Sequence, residues 1–121
     1  MPLDPGNYGK ELIVDLHDCD VRMMTKHCLE NFLKSLCELI DMEMVGTHWW
    51  EDLDNEEEHL AGISVVQFIK TSSITIHALT KLEHVYINIF SCKDFDVLNT
   101  SNFIKSWFSG KVKNSLVMGR V

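Results

Sequence analysis

An α+β fold, built as a two-layer sandwich of a mostly antiparallel sheet with two helices on one face, is what this sequence predicts. Three observations carry that reading. Two stretches repeat apolar residues at three- and four-residue spacing, as a helix does when it lies on something flat. Between them, three β-rich runs follow one another across breaks too short to hold a helix, which makes them antiparallel neighbours. The chain has 121 residues, 45% hydrophobic and 24% charged, enough for one core and for a single domain spanning 1–121.

Leu12, Val14 and Leu16, with Ile13 between, form a short apolar run closed by His17-Asp18-Cys19-Asp20, which reads as a buried strand. From Thr25 as N-cap, Leu29, Phe32, Leu33, Leu36, Leu39 and Ile40 make an apolar stripe, leaving Lys26, Glu30, Lys34 and Glu38 for water. Met44 to Trp50 reads as a second strand. The stretch Glu51 to Glu58, with six acids and one large apolar residue, Leu53, reads as a loop. Gly62 to Ile69, Ser73 to Ala78 and His84 to Phe90 are the three consecutive β runs. Asn99 or Thr100 caps a second helix carrying Phe103, Ile104, Trp107 and Phe108 and ending near Gly110. Val112 to Met118 closes the chain as a strand, giving the order β-α-β-β-β-β-α-β. One sheet face is left for water, a ligand or a second subunit.

Eighteen acids against eleven Lys and Arg give a formal charge of −7 with no basic cluster, which argues against nucleic acid as a partner. The longest apolar runs are strand-sized, so no membrane span is expected. Met1 to Lys10 holds Asp4, Pro5 and Gly6 in place of a basic segment followed by an apolar one, so a soluble, cytoplasmic chain without a signal peptide is expected. Cys19, Cys28, Cys37 and Cys92 form no CxxC pair, which argues against a disulfide scaffold or a zinc site; no metal is expected.

The densest group of reactive side chains is Thr71-Ser72-Ser73-Ile74-Thr75-Ile76-His77, with Ser64 before it and Cys92 after it. On a strand, Ser73, Thr75 and His77 share one face and Ile74 and Ile76 the other. Taken alone, that is a polar strand face above a core. There is no GxSxG elbow, no HExxH pair and no Gly-rich phosphate loop.

Gly9-Lys10-Glu11-Leu12-Ile13-Val14-Asp15-Leu16 with Cys19-Asp20, then Gly62-Ile63-Ser64, Ser72-Ser73-Ile74-Thr75-Ile76-His77 and Asn88-Ile89-Phe90-Ser91-Cys92, resemble the short prokaryotic S-adenosylmethionine decarboxylase proenzymes. The likeness runs from about Gly9 to about Met118. The intervals are its specific part: eight residues from Ser64 to Ser72, five from Ser72 to His77 and fifteen from His77 to Cys92.

The resemblance implies a pyruvoyl-dependent decarboxylase that makes its cofactor from its own chain. The Ser72 hydroxyl would attack the carbonyl of Thr71, and elimination and hydrolysis would leave fragments 1–71 and 72–121, the second capped by a covalent pyruvoyl group derived from Ser72. That ketone forms a Schiff base with a substrate α-amine and accepts the electrons released with carbon dioxide. By the same resemblance Ser64 and His77 assist processing, and Cys92 donates the proton that quenches the carbanion. The implied substrate is S-adenosylmethionine, the implied product the aminopropyl donor of spermidine and polyamine biosynthesis, and the implied assembly a homodimer of processed protomers.

Several positions depart from the family pattern. Thr71-Ser72 stands where the family has Glu-Ser at the cleaved bond. Leu79 and Lys81 stand where it has a Trp and a ribose-binding Glu after the His. An ammonium has donors only and does not replace an accepting carboxylate, a role Glu83 is placed to take over. Trp50, in His48-Trp49-Trp50, is the expected adenine-stacking ring. Substrate-binding expectations therefore fall on Trp50, Lys81 and Glu83. Two other readings stay open: a homologue decarboxylating another amino acid, such as ornithine or arginine, and a non-catalytic regulatory relative.

Overall fold

A computed structural model describes residues 6–121; Asp4 and Pro5, part of the argument against a leader, lie outside the described residues. Strand β1 (Gly9–His17) leads through a 3₁₀ turn (Val21–Met23) into helix α1 (Lys26–Leu39). Strands β2 (Gly46–Asp52), β3 (Gly62–Ile69), β4 (Ser72–Leu79) and β5 (His84–Ser91) follow, then helix α2 (Val97–Phe108) and strand β6 (Lys111–Arg120). The sheet order is β2-β3-β4-β5-β1-β6, with every adjacent pair antiparallel.

The alternation read in the sequence sets the two faces. Leu12, Val14 and Leu16 of β1, Ile63 and Val65 of β3, Ile74 and Ile76 of β4 and Val85, Ile87 and Ile89 of β5 are buried beneath the helices. Helix α1 starts where Thr25 accepts a hydrogen bond from the Cys28 amide at 3.2 Å. It buries Leu29, Phe32, Leu33, Leu36 and Cys37, each large aliphatic or aromatic side chain contributing about 1.5–3 kcal/mol relative to exposure. Phe32 joins the helices, its ring 4.9 Å from Phe108 and 5.6 Å from Phe103 between centroids.

Several boundaries differ from expectation, β2 starting at Gly46 rather than Met44 and β6 running over Lys111–Arg120 rather than Val112 to Met118 among them. Leu39, counted in the apolar stripe, is exposed, and Ile40 instead folds into the core as the C-cap. Glu51 and Asp52 are not loop: they continue β2, opposite Ile63 and Gly62, because an edge strand leaves Glu51 in water and lets half-buried Asp52 accept from the Asn55 side chain at 2.9 Å. Helix α2 begins at Val97, with Asp96 rather than Asn99 or Thr100 as the cap; Asp96 accepts the Asn99 amide at 3.0 Å, and Thr100 donates its hydroxyl back to the Asp96 carbonyl. Strand β4 opens at Ser72, one residue early, pairing Ser72 with Ile69 across a tight turn.

Gly62 shows how closely β3 and β4 approach: a Cβ there would overlap the carbonyl oxygen of Ala78. Gly62→Ala is expected to cost about 1–3 kcal/mol by overpacking. It should appear as a lower urea midpoint at an unchanged slope.

Candidate active site

The β3–β4 turn carries the scissile candidate. Lys70 occupies it with φ 48, the left-handed region that costs a non-glycine residue about 1–2 kcal/mol. Immediately after it, Thr71 is exposed and Ser72 is tucked under the helix side of the sheet. Cys92 comes from the end of β5, two strands' ends meeting at one point. Its backbone N–H donates to Ser72 Oγ at 3.0 Å. Its Sγ lies 3.5 Å from Ser72 Oγ and 3.1 Å from Thr71 Oγ1.

These contacts set Cys92 apart from the buried thiols. Burial pushes Cys19 and Cys37 up to about 11. The hydroxyl of Ser72, then that of Thr71, holds the Cys92 thiol below the ordinary cysteine value by stabilising its thiolate. The group opens into a cleft of about 530 Å³, lined by Cys37, Met42, Ile69, Ser72 and Cys92, with Glu38, Asp41, Glu43, Lys70 and Lys93 as its charged lining. Two ion pairs brace this lining, Lys93 to Asp41 at 2.6 Å and Lys70 to Glu43 at 3.8 Å.

Ser64 and His77 form a second pair. They face each other in the β3/β4 register, and Ser64 Oγ lies 2.7 Å from His77 Nδ1. Both are on the face the helices leave open. Five residues of strand separate His77 from Ser72, about 16 Å at roughly 3.3 Å per residue, and odd spacing turns the two side chains to opposite faces. The four expected catalytic residues are thus brought together as two pairs, Ser72 with Cys92 and Ser64 with His77, and the fold of one chain does not join them.

Trp50 belongs with the second pair. It lies opposite Ser64 in the β2/β3 register and is strongly exposed on the open face. Lys81 donates to the Asn55 carbonyl at 2.6 Å, pinning the β2–β3 connection to the β4–β5 turn. The acidic connection therefore lies at the sheet end away from Ser72. Glu83 sits in that same turn with φ 59, its carbonyl accepting the Cys19 amide at 2.9 Å. Tyr86 was not singled out by the sequence, yet it lies opposite His77 and 2.9 Å from His84 Nδ1. The polar alternation His84-Tyr86-Asn88 along β5 was the available signal.

A serine that accepts an amide N–H beside a thiol, following a left-handed turn residue, is chemically suited to hydroxyl attack on the preceding carbonyl. A ketone left at position 72 would lie beside the Cys92 amide donor and its thiol, so these residues fit a pyruvoyl group.

Comparison with known proteins gives the family and the fold. A family profile described as S-adenosylmethionine decarboxylase matches residues 10–120. The S-adenosylmethionine decarboxylase proenzymes of Saccharolobus islandicus strains L.S.2.15 and M.16.27 are each 29% identical over 90 residues, covering 73% of this chain and 67% of theirs. The crystal structure of the adenosylmethionine decarboxylase from Aquifex aeolicus VF5 superposes with a TM-score of 0.78 at 14% identity, over 94% of this chain and 91% of that one, a likeness of fold. With the profile running from Lys10 to Arg120, across every strand and helix that positions Ser64, Ser72, His77 and Cys92, this chain belongs to the S-adenosylmethionine decarboxylase family.

Proposed function

We propose that the chain is a self-processing, pyruvoyl-dependent S-adenosylmethionine decarboxylase, cut between Thr71 and Ser72, whose product is the aminopropyl donor for spermidine and other polyamines. The observation that carries this is the contact of Ser72 Oγ with the Cys92 N–H and thiol at a left-handed turn.

In processing, Ser72 Oγ bonds to the Thr71 carbonyl carbon, and the Thr71–Ser72 C–N bond breaks to give an ester. Loss of the Ser72 α-proton then breaks the Cβ–Oγ bond. The oxygen leaves with Thr71 as a carboxylate, and hydrolysis of the remaining enamine releases ammonia and leaves a ketone on residue 72. An imidazole is the fitting proton acceptor for the α-proton, and the Ser64 hydroxyl 2.7 Å away holds the His77 ring in one orientation. The ketone, once formed, supplies an electron sink for the pair released with carbon dioxide. Cys92 Sγ, at the same spot, delivers a proton to the substrate α-carbon.

Because His77 stands on the open face about 16 Å along the strand from Ser72, we assign its action to the Ser72 of a second copy. The open face carries exposed Trp50, Phe68, Leu116 and Met118, apolar area suited to a facing sheet. Homodimerisation then completes each site from two chains, the scissile bond lying at the very start of β4 beside exposed Thr71, at the sheet end where a facing chain can reach it.

A second reading, decarboxylation of another amino acid such as ornithine or arginine, is favoured by Lys81, whose ammonium is spent on Asn55, and by Leu79, which offers no acceptor. One experiment tests both. Intact mass of the purified chain should show fragments 1–71 and 72–121, and carbon dioxide release across S-adenosylmethionine, ornithine and arginine should be confined to the first. An uncleaved 13.9 kDa chain after prolonged incubation would overturn self-processing. Release from ornithine or arginine alone would move the assignment to the second reading.

A further inference from the structure

Lys10 is the one buried lysine among the described residues, and its ammonium lies at the root of the Cys92 turn. It pairs with Asp94 at 2.5 Å, its Nζ also standing 4.8 Å from the ring centroid of buried Phe95. Both partners fall within three residues of Cys92. In the β1/β5 register Lys10 faces Ser91, so strand β1 underlies the exit of β5.

The rest of that exit is built to the same tolerance. Fully buried Ser91 donates to the Lys93 carbonyl at 2.5 Å and accepts the Lys93 amide at 2.9 Å, folding the chain back just after Cys92. Gly9 lets it come this close: a Cβ there would overlap the Ser91 carbonyl and crowd the Cys92 Cα. On the outer side the exposed Lys93 ammonium ties the turn to Asp41. A buried ammonium is stable only with a partner, whereas an exposed pair contributes little. The inner anchor therefore dominates.

We infer that Lys10 is a positioning residue for the decarboxylase site: through Asp94 and Phe95 it fixes the Cys92–Phe95 turn, and so sets where the Cys92 amide and thiol stand relative to residue 72. The inference rests on the function proposed above for what Cys92 does, but the placement of the thiol is measurable without it. The route from Lys10 to the thiol runs through Asp94 and Phe95, the partners it holds two and three residues beyond Cys92. The carboxyl of Asp94, held below its usual range chiefly by the hydrogen bond from Lys10, accords with a persistent pair.

Lys10→Met, Lys10→Arg and Asp94→Asn are each made twice. In the otherwise unchanged full chain, decarboxylation is read. In a His77→Ala chain, which should stay uncleaved and so keep the Ser72 and Thr71 hydroxyls beside the thiol, alkylation is read against the same chain with Lys10 and Asp94 intact. Alkylation by iodoacetamide is followed at each cysteine by peptide mass from pH 6 to 10 (about the range in which thiols titrate), with Cys28 of the same chain as reference. Lys10→Met should shift the Cys92 profile toward higher pH and lower decarboxylation about tenfold or more, one power of ten being a displacement of roughly one hydrogen bond's worth. Lys10→Arg should restore most of both, and the Cys28 profile should not move. A Cys92 profile coinciding with the Lys10-intact reference in Lys10→Met, even with a lower melting temperature, would reduce Lys10 to a stabilising role and overturn the inference. Should Lys10→Met fail to fold, Asp94→Asn decides, since Asp94 is exposed enough to be solvated: an unmoved Cys92 profile overturns the inference, and a shifted one supports it. If wild type yields no fragments, self-processing fails while the Cys92 profiles still decide the role of Lys10.

Discussion

Ser72→Ala is expected to abolish both cleavage and decarboxylation: the purified variant remains one 13.9 kDa chain, without fragments 1–71 and 72–121, and releases carbon dioxide only at the uncatalysed background. The argument is chemical. Oγ is the only atom of residue 72 able to attack the Thr71 carbonyl, and the ketone must form on that residue's own carbon skeleton, so no neighbouring group substitutes. Ser73→Ala is the control. Its side chain points to the opposite face, away from Cys92, and it should cleave as wild type does. The fold should survive Ser72→Ala. Losing the acceptor for the Cys92 amide costs about 1–3 kcal/mol if that amide stays dry, less with water admitted from the cleft, so thermal unfolding stays cooperative. Fragments from Ser72→Ala would place the cut elsewhere.

Much of this architecture was legible because one-dimensional periodicity reports which side of an element is buried. Ile74 and Ile76 against Thr75 and His77, or Leu29, Phe32, Leu33 and Leu36 along α1, announce their faces without reference to a partner. The placement of β1 between β5 and β6 has no such local signature, since it depends on contacts between residues about 70 to 110 positions apart, such as Leu12 with Ile89 and Val117. Edge positions were misread for a related reason. Glu51 and Asp52 obey no burial constraint, so composition suggested loop where backbone pairing continues. The site residues were found through their intervals, but intervals along a chain do not say which face or which end of a strand a side chain takes. That is why Ser64, Ser72, His77 and Cys92 read as one constellation and fold as two pairs. Lys10 carries no local signal of burial: a lysine after Gly9 at a strand start looks like solvent-facing charge, and the neighbouring Asp94 and Phe95 show it to be buried.

The separation of the two pairs leads to the other large effect. If each site takes Ser72 and Cys92 from one chain and Ser64 and His77 from the facing chain, then His77→Ala and Cys92→Ala are each inactive alone and complement one another when produced together. In a mixed dimer one site holds both lesions and the other holds none. Random association makes half of the dimers mixed, with one working site in two, so co-expression should recover about one quarter of wild-type decarboxylation. Fragment analysis adds a second signature. Only the Cys92-intact chain meets a partner's His77 in a mixed dimer, so the chain bearing His77→Ala should be the one whose cleavage depends on its companion. If the pairs instead served one another within a chain, both variants would carry a broken site in every protomer and co-expression would recover nothing. That outcome would require the roughly 16 Å between His77 and Ser72 to close within one sheet, which the continuous β3/β4 register from Ile63 to Ser72 does not permit without unzipping the hairpin.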